Sequence, residues 1–258
     1  MDYEGFKTEV YKLTDINLSF YKEKQMKRRI DSLIRKNGYE QYDEYVKVLK
    51  TNQELYNEFI NYLTINVSEF YRNPEQWEVL KKEIYPFLLK KSGKLKIWSA
   101  ACSTGDEPYT LVMTLNEYVP LKDIKIIATD IDKEAIRKAK AGVYTEKSLE
   151  KLPKAYLDKY FTKEGNIFTV KNEVRNQVEF SRHNLLKEAY PSGCDLIVCR
   201  NVLIYFTEEA KVNIYTQFNK ALKNQGVLFV GSTEQIIMSA RYNLSPLKTF
   251  FYLKDGDI

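Results

Sequence analysis

Histidine is almost missing from this sequence: His183 is the only one in 258 residues. One imidazole cannot build a histidine-rich zinc site, and Cys102, Cys194 and Cys199 fall one thiol short of a four-cysteine structural site. No metal site is therefore expected. An odd and sparse cysteine set also argues against a secreted disulfide scaffold and for a reducing compartment. Ten glycines and seven prolines are too few for a collagen-like or low-complexity chain. No stretch approaches the roughly 18 apolar residues that a membrane span needs. Met1–Val10 carries Asp2, Glu4, Lys7 and Glu9, so no apolar signal segment is expected either. Together these absences lead us to expect a soluble, cytoplasmic protein without direct membrane insertion.

What is present in quantity is apolar and aromatic. Hydrophobic residues make up 44% of the chain and aromatics 14%, too much for a disordered polymer. A chain of this length buries roughly 70% or more of its unfolded surface. The net charge of +5 is mild and is compatible with nucleic acid, an acidic protein or no charged partner. Up to about residue 90 the pattern is helical, with Tyr3–Lys12, Phe20–Lys36, Tyr39–Leu49 and Gln53–Leu63 expected as helices. Thr14-Asp15, Asn37-Gly38 and Thr51-Asn52 supply the cap and turn residues between them. In the second of these, Met26, Ile30, Leu33 and Ile34 form an apolar stripe. The same segment holds seven basic residues against Glu23 and Asp31, a local excess as large as that of the whole chain.

A long amphipathic segment, Pro74–Leu89, leads to a different rhythm. Strands are expected at Leu95–Ala101, Asp123–Thr129, Val178–Arg182, Asp195–Cys199, Gly226–Gly231 and Thr249–Leu253. Helices are expected between them at Glu107–Tyr118, Lys133–Ala141 and Glu208–Leu222. Such alternation predicts an α/β domain with a mostly parallel sheet and helices on both faces. Phe161–Lys163 and Ile167–Val170, joined by Glu164-Gly165-Asn166, break the rhythm as a small antiparallel hairpin.

Ligands of such sheets bind beyond the carboxyl ends of the strands. There the first strand runs into Ala100-Ala101-Cys102-Ser103-Thr104-Gly105-Asp106-Glu107-Pro108-Tyr109. Small residues allow close backbone approach, but neither G-x-G-x-x-G nor a phosphate-cradling G-x-x-x-x-G-K-[ST] loop is present. The acidic pair Asp106-Glu107 would repel phosphate and suits a ligand with positive charge. The second strand ends in Asp130, placed to accept hydrogen bonds from ribose hydroxyls, while Asp132 is placed to cap the next helix. A ribose without a diphosphate, combined with a cation, describes S-adenosyl-L-methionine.

These segments closely resemble the chemotaxis receptor glutamate methyltransferases, the CheR family, over nearly the whole chain. The resemblance is carried by Asn66-Val67-Ser68-Glu69-Phe70-Tyr71-Arg72, Trp98 through Tyr109, Ala128-Thr129-Asp130-Ile131-Asp132, His183-Asn184-Leu185-Leu186 and Cys199 through Phe206. Departures from the family pattern are Ser68, Tyr71 and Asp106, none of which removes a needed functional group. The resemblance implies an all-α N-terminal domain over 1–75 and a linker helix over 76–92. It further implies a Rossmann-like S-adenosylmethionine-dependent methyltransferase domain over 93–258, with a small antiparallel β insertion at about 143–177. It implies that the methyl donor is held by Asn66, Ser68, Arg72, Glu107, Asp130, Asn184, Leu185, Asn201 and Val202, and that S-adenosyl-L-homocysteine is the product. Arg72 and Tyr205 would face the reaction centre, whereas His183 is expected to be a packing or hydrogen-bonding residue.

The implied partner is the cytoplasmic helical domain of membrane chemoreceptors. Lys24, Arg28, Arg29 and Arg35 would meet its acidic surface, with no nucleic acid involved and a monomeric enzyme expected. Two rivals remain at this stage. An RNA methyltransferase would suit the basic helix and the aromatics, but Arg200-Asn201-Val202 lacks the Asn/Asp-Pro-Pro-aromatic turn of amino-nitrogen methylases and no Pro-Cys nucleophile is present. A non-catalytic donor-binding sensor would leave Arg72 and Tyr205 without a purpose.

Overall fold

The computed structural model describes residues 1–256, which divide into two compact units. The first comprises Met1–Asn66 with Tyr205–Asn213; the second comprises Val67–Ile204 and the chain from Ile214 onward.

Four helices build the first unit: α1 (Tyr3–Thr14), α2 (Glu23–Lys36), α3 (Tyr42–Leu49) and α4 (Gln53–Thr64). Asp2 caps α1 by accepting from the Gly5 amide, and Asn52 caps α4 by accepting from Glu54 and Leu55. α2 starts later than the pattern of Phe20–Lys36 predicts. Leu18–Phe20 is a separate 3-10 turn capped by Asn17, and the Lys22 amide donates to the Tyr205 carbonyl at 2.9 Å, so those backbone groups are spent outside the helix. α3 likewise begins at Tyr42 instead of Tyr39, because Gly38 (φ 80°) reverses the chain and the Tyr39 amide returns to the Ile34 carbonyl. Phe6, Val10, Ile30, Tyr45 and Phe59 are fully buried at the centre. Phe59 meets the rings of Phe6 and Tyr45 edge to face.

The second unit opens with the helix expected at Pro74–Leu89, formed as Pro74–Val79, a π-type turn Leu80–Ile84 and Tyr85–Leu89. The widened turn sits directly before Pro86, which lacks an amide and crowds the preceding turn of a regular helix. This segment places Trp77, Leu80, Ile84, Tyr85 and Leu88 in the hydrophobic core of the second unit.

The main sheet has seven strands. Those expected from sequence appear as β1 (Ile97–Ala100), β2 (Ile126–Asp130), β6 (Val178–Arg182), β7 (Cys194–Cys199), β8 (Leu222–Val230) and β10 (Phe251–Lys254), joined by β9 (Leu244–Lys248), which the sequence pattern did not reveal. Their order is β6-β2-β1-β7-β8-β10-β9. The first five are parallel and β10 is antiparallel to both neighbours. The order reverses between β1 and β7, which makes their carboxyl ends the switch point where doubly wound sheets bind ligands. Ile97 pairs with Leu196 across that junction. β7 is buried along its entire length, as expected of a parallel strand covered on both faces.

The insertion is a three-stranded antiparallel sheet. β4 (Phe161–Glu164) and β5 (Ile167–Val170) form the expected hairpin, and β3 (Val143–Thr145) adds to the other side of β5. Three residues are too few to display a period-two pattern, so β3 could not be read from sequence. The helix Lys154–Tyr160 between β3 and β4 was likewise not anticipated. The fold is thus α/β, with a Rossmann-like, mostly parallel sheet, a small β insertion and an all-α N-terminal region.

Candidate active site at the carboxyl ends of the sheet

The loop after β1 is shaped by backbone conformation more than by side chains. Ala101 (φ 63°), Ser103 (φ 48°) and Gly105 (φ 93°) all adopt left-handed conformations, a tight turn into the helix Asp106–Leu115. Gly105 is required twice over: a Cβ there would lie 2.9 Å from the Ala139 Cβ and 3.0 Å from the Tyr144 hydroxyl.

Asp130 closes this loop from the end of β2. One of its oxygens accepts from the Ser103 amide (2.8 Å) and the other from the Asp132 amide (2.9 Å). Ionised carboxylates offer about four acceptor sites, so Asp130 retains capacity for a ligand's hydroxyls. Burial pushes its carboxyl up to about 6, the two amides opposing that rise. Asp132 is separately committed as a helix cap, accepting from Glu134 and Ala135.

Glu107 occupies the same floor. Ser99 on β1 donates to it at 2.8 Å, and an Arg200 guanidinium nitrogen lies 3.7 Å from its other oxygen. Burial raises its carboxyl to about 6 despite Arg200 and Ser99, which pull the other way. Asp106 beside it is 1% exposed, with its pKa raised by burial and opposed by hydrogen bonds from Thr104 and Ser68. Ser68 is thereby brought to the start of this helix.

Arg72 lies in a loop whose Tyr71 and Asn73 are both left-handed (φ 56° and 59°). Its guanidinium donates to the Val67 carbonyl at 3.3 Å, and its charge acts on Glu107. The loop is anchored through its backbone: the Arg72 carbonyl accepts from the Trp77 indole (2.9 Å) and from Arg200 (2.8 Å). Arg200 also donates to Asn73 and Gln76 and lies over the rings of Trp77 and Phe229. Sequence reasoning gave Arg200 no role, although it was visible as a charged residue directly after the apolar run Leu196-Ile197-Val198-Cys199.

Past Arg200 the chain turns at Asn201 (φ 60°), and Val202 follows, half-buried. The carboxylate of Glu234 holds this turn through backbone amides. Glu234 was also missed. Its signal was its isolation, as the only charged residue between Lys223 and Arg241. On the β6 side, Asn184 and Leu185 are buried; the Asn184 side chain accepts from the Leu186 amide, and the Leu185 carbonyl accepts from the Tyr190 hydroxyl. His183 packs edge-on to Trp98 and Tyr190 and contacts the Ala189 carbonyl through Nε2.

The second unit therefore contains Ser68, Arg72, Glu107, Asp130, Asn184, Leu185, Asn201 and Val202. Asn66 and Tyr205 belong to the first, where the Asn66 amide donates to Thr64 and Asn61 and the Tyr205 carbonyl accepts from Lys22. Of the four basic residues expected on one surface of α2, Lys24, Arg28 and Arg35 are exposed. Arg29 is turned inward onto the Tyr62 ring (4.5 Å) and donates to the Tyr62 carbonyl at 2.8 Å. Among the described residues no cluster of potential metal ligands occurs, and no helix is long and apolar enough to cross a membrane.

The chain is similar to known proteins over nearly its whole length. Residues 66–251 match the family model described as CheR methyltransferase, SAM binding domain, and residues 1–64 match its all-alpha domain. The chemotaxis protein methyltransferases of Listeria monocytogenes and Listeria innocua are 43% and 44% identical to this chain, each over 98% of it and 97% of the relative. That of Escherichia coli is 33% identical over 95% of this chain and 88% of its own. The chain belongs to the CheR methyltransferase family, with S-adenosylmethionine as its cofactor.

Proposed function

We propose that this protein transfers a methyl group from S-adenosyl-L-methionine to glutamate side chains of methyl-accepting chemoreceptors, leaving glutamate methyl esters and S-adenosyl-L-homocysteine. The residues fit the donor. Asp130 suits ribose hydroxyls, and Glu107 suits a cationic or hydroxyl-bearing end. Asn184, Leu185, Asn201 and Val202 suit the adenine side, and Asn66, Ser68 and Arg72 complete the set. Both central acids are buried with raised pKa values, so their ionised forms gain most from a positively charged ligand.

When bound, the donor supplies an electrophilic methyl group on a positively charged sulfur. A glutamate side chain has an ordinary pKa near ~4.3 and arrives ionised at neutral pH, so no base need take a proton from it. One observation carries this choice of nucleophile: the acids and thiols of the site are already engaged or held protonated. Glu107 is engaged by Ser99 and Arg200, Asp130 accepts from the Ser103 and Asp132 amides, and burial keeps the Cys102 and Cys199 thiols protonated, while His183 packs against Trp98 and Tyr190 with Nε2 on the Ala189 carbonyl. The work left to the protein is alignment and exclusion of water. Arg72 orients the substrate carboxylate, and Tyr205, shortly after Val202 in the chain, is assigned a hydrogen bond to its second oxygen. The cytoplasmic domain of a membrane receptor is the assigned partner, which places the enzyme in the cytoplasm.

The deciding experiment incubates the protein with methyl-labelled donor and either receptor-rich membranes or total RNA. Label on membrane protein that is released by base as methanol is the expected result. Label on RNA, or none on either substrate, would overturn the assignment.

A further inference from the structure

Glu234 lies just past β8 and is 5% exposed. A carboxylate removed from water is costly unless donors replace the solvent. Here four backbone amides do so. One oxygen accepts from Asn201 at 2.5 Å and Gly231 at 2.9 Å, the other from Leu203 at 2.6 Å and Ile204 at 3.2 Å. Three of these amides belong to a single turn, so their N–H groups converge as a small anion nest. The clamp fixes a left-handed turn, with Asn201 at φ 60°, a conformation that asparagine tolerates better than most residues. Gly231 completes the fit. A Cβ there would lie 2.5 Å from the Glu234 carboxylate and 2.7 Å from the Asn201 nitrogen, so only glycine lets the carboxylate reach both segments.

The location gives the clamp its meaning. It ties the carboxyl end of β8 to that of β7, beside the switch point, and the turn it shapes carries Asn201 and Val202. We propose that Glu234 is a positioning residue for donor binding, holding the Asn201–Ile204 turn in the conformation that presents Asn201 and Val202 to S-adenosylmethionine. The assignment rests on the proposal above that these two residues contact the donor. It requires a carboxylate and not an isosteric amide. Both oxygens accept from amides, and glutamine would direct an NH2 group at one of the two pairs.

The test compares donor dissociation constants, measured by titration calorimetry on the full chain, with the melting temperature of each variant. Glu234→Gln is expected to weaken S-adenosylmethionine binding at least about 10-fold, and Glu234→Asp, which keeps both acceptor oxygens, to bind more tightly than Glu234→Gln. Asp195→Asn is the structural control. Asp195 is a buried carboxylate at the opposite end of β7, bonded to Lys223 and to the Lys96 amide. Its loss is expected to lower the melting temperature while leaving donor affinity within about 2-fold. Asn201→Gly, which tolerates the positive φ, tests the underlying contact. Weakened binding in Asn201→Gly with normal binding in Glu234→Gln overturns the positioning role alone. Normal binding in Asn201→Gly overturns the contact and the proposal together. Equal losses of affinity in Glu234→Gln and Asp195→Asn would make Glu234 an ordinary stabilising residue and overturn its assignment. Should Glu234→Gln fail to fold, Gly231→Ala, which displaces the carboxylate without removing it, carries the same comparison.

Discussion

Arg72 combines two roles that mutation separates. Its backbone carbonyl is an anchor point for Arg200 and Trp77, while its guanidinium bonds the Val67 carbonyl and its charge acts on Glu107. Replacement by alanine removes the guanidinium and keeps the anchor. Arg72→Ala is therefore expected to lower kcat about 100-fold, with donor affinity changed several-fold at most. Initial-rate kinetics with receptor membranes, together with donor calorimetry, check this; near-normal turnover would remove Arg72 from the reaction centre. The residues that were legible in the sequence share a property with Arg72: each stands in a short run of unusual chemistry, such as Ser103-Thr104-Gly105-Asp106-Glu107 or Thr129-Asp130. Arg200 and Glu234 were not legible as site residues because their partners lie far away in the chain, and several of them are backbone groups. Arg200 reaches the Arg72 carbonyl, and Glu234 reaches the amides that follow β7. Any residue can present those backbone groups, so the sequence showed at most an isolated charge and not what that charge holds.

Among elements, α2 shows how periodicity and tertiary contacts divide the labour. At 100° per residue, Lys24, Arg28 and Arg35 lie within a stripe on the order of 40° wide, and all three are exposed. Arg29 points elsewhere, over Tyr62, and Lys27 and Lys36 are held by Asp31 and Glu58. The seven basic residues read from composition thus resolve into a three-residue outward stripe, three struts and an exposed Lys22 ahead of the helix. Reversing charge in the double variant Arg28→Glu, Arg35→Glu is expected to raise the receptor KM about 10-fold at low salt, less at high salt, with donor affinity unchanged. Arg29→Ala should instead lower stability by about 1–2 kcal/mol through the lost stacking and carbonyl bond, with the receptor KM little altered. Denaturant melts and salt-dependent kinetics distinguish the two; a KM effect from Arg29→Ala alone would reverse the roles. The sequence pattern identified the helix and its apolar stripe but not its first turn, because the backbone groups at Tyr21 and Lys22 are spent on Tyr205 and Phe206. Partners remote in the chain decide such ends, which is also why the short β3 and β9 escaped notice.

For the molecule as a whole, the raised acids of the site couple donor binding to stability with a definite sign. Glu107 and Asp130 titrate near 6 in the folded, donor-free protein, against ordinary values near 4.5 and 3.8 when unfolded. Between those limits the folded state binds more protons than the unfolded one. The contribution of these two groups to stability is therefore present in full below about pH 4 and is lost as the pH rises through 6. Glu9 and Glu78 act oppositely: hydrogen bonds from Lys12 and from Tyr71, respectively, hold them near 2, so their contribution appears above the ordinary carboxylate range. In the window from pH 5 to 7 those two are already ionised in both states, which leaves the site acids as the moving part of this comparison. Donor binding selects their ionised forms, so each acid that must ionise weakens affinity about 10-fold at pH 5. A donor present at 100 times its dissociation constant stabilises by about 2.7 kcal/mol, and that gain shrinks as the affinity falls. Melting curves at pH 5 and pH 7.5, with and without a fixed donor concentration, are thus expected to show a clearly larger donor-induced rise at pH 7.5. The difference should diminish in Glu107→Gln and in Asp130→Asn, provided calorimetry confirms residual binding. Equal donor-induced shifts at the two pH values in the unaltered protein would mean that neither acid changes protonation when the donor binds, and that their burial serves only the fold.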